Sequence, residues 1–139
     1  MREFTMSGWR WFVGDDSILD INKSGKWMYF FREPEGLLFA EKMCRIAVKE
    51  DIVVEAKCRD NPMDGVACFY LNCDDEIAHK KVISFFLEHN MIRKTKSGKL
   101  YDESFKLDRQ TRAGEYQKDF KAEIKLSQFI DLFTGEWVR

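Results

Sequence analysis

Proline is scarce in this chain: Pro34 and Pro62 are the only two among 139 residues. No stretch rich in Pro, Gly and Ser divides the chain and no segment repeats. One domain spanning residues 1–139 is therefore expected. Long hydrophobic runs are missing too. No segment approaches the roughly 18 apolar residues of a membrane span. The opening stretch "MREFTMSGWRWF" has no apolar run behind its basic residue, so it does not read as a secretory signal. A cytoplasmic protein is the expectation.

The four cysteines, Cys44, Cys58, Cys68 and Cys73, form no C-x-x-C pair. Free, mostly buried thiols in a reducing compartment are expected. A zinc site from Cys68, Cys73 and His79 would have poor spacing and no second close pair. No metal or cofactor is expected. Nor is there an H-x-x-x-H, a Walker loop or a G-x-G-x-x-G. His79 and His89 are the only histidines and fall ten residues apart on one expected helix. "KSGK" occurs twice, at 23–26 and 96–99, without P-loop spacing. These absences make catalysis the less expected outcome.

Charge of either sign is not in excess. Lys and Arg number 23 against 24 Asp and Glu, for a net charge of -1. No global field recruits nucleic acid or membrane, so any anion site must be a local patch.

What is present is a 45% apolar, 14% aromatic chain, enough for a soluble domain to bury roughly two thirds of its unfolded surface. The aromatic runs at 9–13 and 26–31 predict strands. A helix is expected over 36–49, with Pro34, Glu33 and Glu35 at its start and Ala40, Met43, Cys44 and Ala47 at helical spacing. Residues 52–59 alternate, with Val54, Ala56 and Cys58 on one side and Val53, Glu55, Lys57 and Arg59 on the other. "VACFYLN" predicts a central strand. Asp74, Asp75 and Glu76 open a second helix whose buried face would carry Ala78, Val82, Phe85, Phe86 and His89, with Asn90 as a left-handed cap. Residues 101–108 and the stretch "DFKAEIKL" predict two more alternating strands. Phe105, Leu107, Phe120, Ala122, Ile124 and Leu126 would face inward. A third short helix, capped by Ser127 and ended by Gly135, would follow.

The order β-β-α-β-β-α-β-β-α with short turns predicts an α+β fold: an antiparallel sheet with helices packed on one face. The other face would carry Lys57, Arg59, Lys106, Asp108, Lys121, Glu123 and Lys125. Cations there could neutralise a phosphate, and Tyr70 or Tyr29 could stack on a base. Cross-strand Lys and Glu could equally solvate a free sheet face. Trp9 and Trp11 share a strand side, where they could clamp a flat ring or serve as packing.

The densest polar segment is "FKLDRQTRAGEY". Arg109 and Arg112 could fork onto a phosphate or carboxylate, Gln110 and Thr111 add neutral donors, and Gly114 permits close backbone approach. A self-bonded turn built on Asp108 and Thr111 fits the same residues.

Three short matches then stand out: Gly25-Lys26-Trp27; Asp74-Asp75 after an apolar strand; and Lys106, Asp108, Thr111, Gly114 and Tyr116 as a lysine-aspartate strand running into a Thr-x-x-Gly-x-Tyr turn. In these the chain, over roughly residues 23 to 120, resembles a Bles-type domain-of-unknown-function family with the fold of translation initiation factor 4E. The resemblance implies a curved antiparallel sheet backed by helices, with a concave face available to a ligand. It does not extend to cap binding, since the factor's two cap-stacking tryptophans and their acidic partner have no placed counterparts.

The expected function is a small binding module for a nucleotide-like or other phosphate-bearing ligand. Its candidate residues are Lys57, Arg59, Lys106, Asp108, Arg109, Gln110, Thr111, Arg112 and Tyr116. The alternatives are a protein-interaction or inhibitor module that meets an acidic partner protein, and a nucleotide-processing hydrolase or transferase with Asp108, Glu115 or His89 as base. Nothing in the sequence fixes the oligomeric state.

Overall fold

A computed structural model describes residues 1–15, 18–61, 63–108 and 123–139. The strands are β1 (Arg2–Met6), β2 (Trp9–Val13), β3 (Ser24–Phe31), β4 (Glu55–Arg59), β5 (Gly65–Asn72), β6 (Ser104–Leu107) and β7 (Ile124–Lys125). The helices are α1 (Pro34–Lys49) and α2 (Glu76–Glu88). The strands form one sheet in the order β1-β2-β4-β5-β3-β6-β7, and each pairing is antiparallel. The fold is α+β. As the sequence predicts, the apolar strand β5 lies at the centre.

Strand alternation divides the sheet into two faces. Phe12, Trp27, Ala56, Cys58, Phe69, Leu71, Phe105 and Leu107 point to one side. There they form a single buried cluster with Ala40, Met43, Cys44 and Ala47 of α1 and Val82, Ile83, Phe85 and Phe86 of α2. Both helices therefore cover the same face. Each forms for local reasons. Pro34 starts α1, where a missing N–H costs nothing. Asp75 caps α2, its side chain accepting from Ala78 N at 3.0 Å. Asn90, at φ 56°, takes the left-handed turn after α2.

The structure corrects five expectations. First, β1 is an unforeseen strand. Ser7 and Gly8, both at positive φ (54° and 81°), make the tight turn that pairs it with β2. Second, β4 begins at Glu55, not at residue 52. The amides of Ile52 and Val53 donate to Ala47 O at the end of α1 (2.8 and 3.3 Å) and are unavailable to the sheet. Val53 is consequently core, 5% exposed, and not part of the outer face. Third, His89 ends α2 instead of lining its buried side, and His79 takes the buried place. Fourth, residues 127–135 form no α-helix. A 3-10 turn at Leu126–Gln128 is all that develops. Ser127 does not cap it, because its N and Oγ both donate to Asp102 at 2.8 Å. Asp131 then draws the amides of Phe133 and Thr134 to its own side chain, which breaks helical continuation. Strand β6 is also shorter than expected. It excludes Tyr101–Glu103: the Tyr101 amide donates to Arg93 O and the Glu103 amide to Tyr101 O. The inward placement expected of Phe120 and Ala122 lies outside the described residues.

No helix among the described residues is long and apolar enough to cross a membrane.

Candidate functional site

The face opposite the helices is where the sequence placed its cations. Register fixes its rows. Trp11, Lys57, Cys68 and Met28 align across β2, β4, β5 and β3. Beside them run Glu55, Tyr70, Lys26 and Lys106. On the described strands, Arg2, Lys26, Lys57, Arg59, Lys106 and Lys125 share this side with Glu55, and Asp108, just past the end of β6, meets Lys26 there. A chain of net charge -1 thus carries a locally cationic sheet face.

Its centre is aromatic. Lys57 Nζ lies 3.9 Å from the Trp9 ring centre, 4.7 Å from that of Trp11 and 5.9 Å from that of Tyr70. Arg59 lies 5.5 Å over Trp9. Phe4 backs Trp11, with ring planes 12° apart. An ammonium among ring faces is held by their quadrupoles. Burial nonetheless pushes the Lys57 pKa down, with Lys26 adding to the fall. The Trp11 indole Nε1 is buried and has no hydrogen-bond partner. A donor left so is costly unless something supplies an acceptor.

The second half of the face is polar and ordered. Asp108 accepts from Lys26 Nζ at 2.8 Å and from Ser24 Oγ at 2.9 Å. Lys26 is 8% exposed. Burial lowers the Lys106 pKa, followed by the effect of Lys26. Burial also raises Glu55, then the negative charge of Asp108 raises it further. The Cys68 thiol is pushed up to about 11 by burial, so it is an inert neighbour and not a nucleophile.

Of the sequence-predicted site residues, Lys57, Arg59, Lys106 and Asp108 lie on this one face. Arg109, Gln110, Thr111, Arg112 and Tyr116 lie outside the described residues, as does Lys121. Tyr70 joins the face, whereas Tyr29 packs against Phe39 on the helix side. Trp9 and Trp11, which the sequence offered either as a clamp for a flat ring or as packing, lie on the same face, and so does Lys26, which was outside the candidate set. Their signal was the two-residue spacing of the tryptophans, which becomes informative only once β2 is known to pair with β4.

All four cysteines are free. Among the described residues no three of His, Cys, Asp and Glu gather as metal ligands. Cys68 faces the open side, while both ring nitrogens of His79 are engaged on the helix side. The larger cavities lie away from the aromatic centre. One of about 560 Å³ runs between the helices past Ile46, Ile77 and Phe85, with Lys80 and Lys81 balanced by Glu50 and Glu88.

No protein-family model matches the chain, and no curated protein matches it.

Proposed function

We propose that this chain is a small binding module, without catalysis of its own, for a nucleotide-like or other phosphate-bearing ligand held on the open sheet face. The observation that carries this is the packing of Lys57 Nζ between the rings of Trp9 and Trp11, at 3.9 and 4.7 Å, beside Arg59. A flat base stacks on indole faces and a phosphate is neutralised by the adjoining cations. Arg109, the next residue after Asp108, and Arg112, three further on in sequence, would add anion contacts. Among the described residues both helices lie on one face of the sheet and none on the other, which supports, within the same proposal, a fold like that of translation initiation factor 4E; the four free cysteines fit a reducing, cytoplasmic setting.

The test is a thermal-shift panel of nucleoside mono-, di- and triphosphates and inorganic pyrophosphate. It compares the wild type with Trp9→Ala and Arg59→Gln. A stabilising shift with a nucleotide that falls in both variants is the expected result. If no compound shifts the wild type, the ligand-binding role is wrong. A protein-interaction or inhibitor module facing an acidic partner then takes its place.

A further inference from the structure

The rim of the open face carries a second aromatic station in line with the first. Trp9 pairs with Arg59 across β2 and β4. Arg59 follows Cys58, which pairs with Ala67, so Val66 comes next in the row on β5. Val66 pairs with Phe30 on β3. Beyond Phe30 the Arg93 guanidinium lies 4.3 Å from the Phe30 ring centre and 4.4 Å from that of Tyr101. Arg93 is itself fixed by two bonds to Glu103, at 2.7 and 3.0 Å. Two rings are thereby held in place at the surface, yet Phe30 remains 37% and Tyr101 47% exposed. A core role would bury them. A bare solvent-facing role would not need a clamped arginine.

Three strand spacings separate Trp9 from Phe30, about 14 Å in all. That equals about four stacked nucleotide rises of 3.4 Å. A single nucleotide cannot occupy both stations. A short strand can, with a base at each end, Val66 under the middle, Arg59 in the same row and Lys57 two residues to its side beside the phosphates. We infer that the ligand of this face is a single-stranded nucleic acid laid across the sheet from Trp9 to Tyr101. This rests on the ligand site proposed above and names its substrate class. Stacking on rings is tolerant of base identity, so little sequence preference is expected. The near-neutral total charge makes binding depend on this one face.

The experiment is calorimetric titration with thymidine monophosphate and with a six-nucleotide oligothymidylate, on the wild type, Tyr101→Ala and Trp9→Ala. The six-mer is expected to bind the wild type at least about tenfold more tightly than the monophosphate. Tyr101→Ala should weaken the six-mer by about fivefold or more while leaving the monophosphate unchanged, which also shows the variant folded. Trp9→Ala should weaken both. A six-mer no tighter than the monophosphate, or one indifferent to Tyr101→Ala, overturns the strand-binding inference and leaves the nucleotide site standing. Absence of binding by both compounds overturns the two together.

Discussion

Trp27 Nε1 donates a hydrogen bond to His79 Nδ1 at 3.1 Å inside the core. Since Nδ1 accepts, the ring proton sits on Nε2, which donates to Cys73 O at 2.8 Å. His79 is 2% exposed and is wedged against Phe105 and Phe129 as well as Trp27. A second proton on Nδ1 would set donor against donor in an apolar site.

That arrangement predicts a pH dependence with a definite sign. Burial pushes the His79 pKa below its ordinary value, outweighing the bond to Cys73 O and the charges of Glu76 and Asp75 that pull the other way. Below about pH 6.5 the unfolded chain gains a proton that the folded chain refuses. The contribution is complete above about pH 6.5 and is lost as pH falls below it. Urea unfolding at pH 8, 7, 6 and 5 should show this loss in the wild type. His79→Phe should flatten the difference between pH 7 and pH 5. At pH 8 it should cost about 1–3 kcal/mol, because the Trp27 N–H is left without an acceptor. A pH profile unchanged by His79→Phe would refute the protonation account.

Two strand glycines are fixed by close approach. A Cβ on Gly25 would lie 2.6 Å from the Phe105 ring and 2.7 Å from the backbone oxygen of Lys106; on Gly65 it would fall within the Phe31 ring. A side chain can turn aside, but a paired backbone cannot without breaking the β3–β6 ladder. Gly25→Ala is expected to cost about 1–3 kcal/mol and to loosen β6. Amide hydrogen exchange should show faster exchange in Phe105 and Leu107 than in β5. Equal protection of both strands in the variant would mean that the close contact does not hold β6.

Asp108 joins Lys26 and Ser24 on the open face, with the paired side chains only 25% and 10% exposed. Removing Asp108 takes a charge-assisted bond from Lys26 and a hydrogen bond from Ser24. Asp108→Ala should therefore destabilise by about 1–3 kcal/mol. The double variant Lys26→Met, Asp108→Ala should lose less than the two single variants summed. Strict additivity in denaturant midpoints would show that the pair does not couple.

How far the sequence disclosed all this depends on the range of the interaction. Alternation placed Ala56, Cys58, Phe105 and Leu107 on the helix side and Lys57, Arg59, Lys106 and Asp108 on the other, because strand parity is a local property. The ends of elements were less legible. Val53 is drawn to Ala47 O by the way α1 ends, which strand alternation does not register, and Ser127 is claimed by Asp102, 25 residues earlier. Beyond the central place of β5, strand order was not legible. Only the pairing of β2 with β4 brings Trp9 and Trp11 to Lys57, and only that of β3 with β5 sets Phe30 in line with them. Gly25 illustrates the same limit. Its place in Gly25-Lys26-Trp27 was visible, but the need for glycine comes from β6, some eighty residues later.

Lys57 separates stability from function. It is a half-buried cation whose pKa is lowered chiefly by burial, so folding carries a desolvation cost at this position. Ring contacts at 3.9 and 4.7 Å offset part of it. Methionine keeps the unbranched stem and its packing against Trp9 and Trp11 while removing the charge. Lys57→Met is thus expected to leave thermal stability within about 1 kcal/mol of wild type, or to raise it. Nucleotide affinity in the same preparation should fall about tenfold or more, since the cation nearest the rings is gone. A large loss of stability would instead make Lys57 a structural member of the sheet. Retained affinity would move the anion contact away from the tryptophan pair.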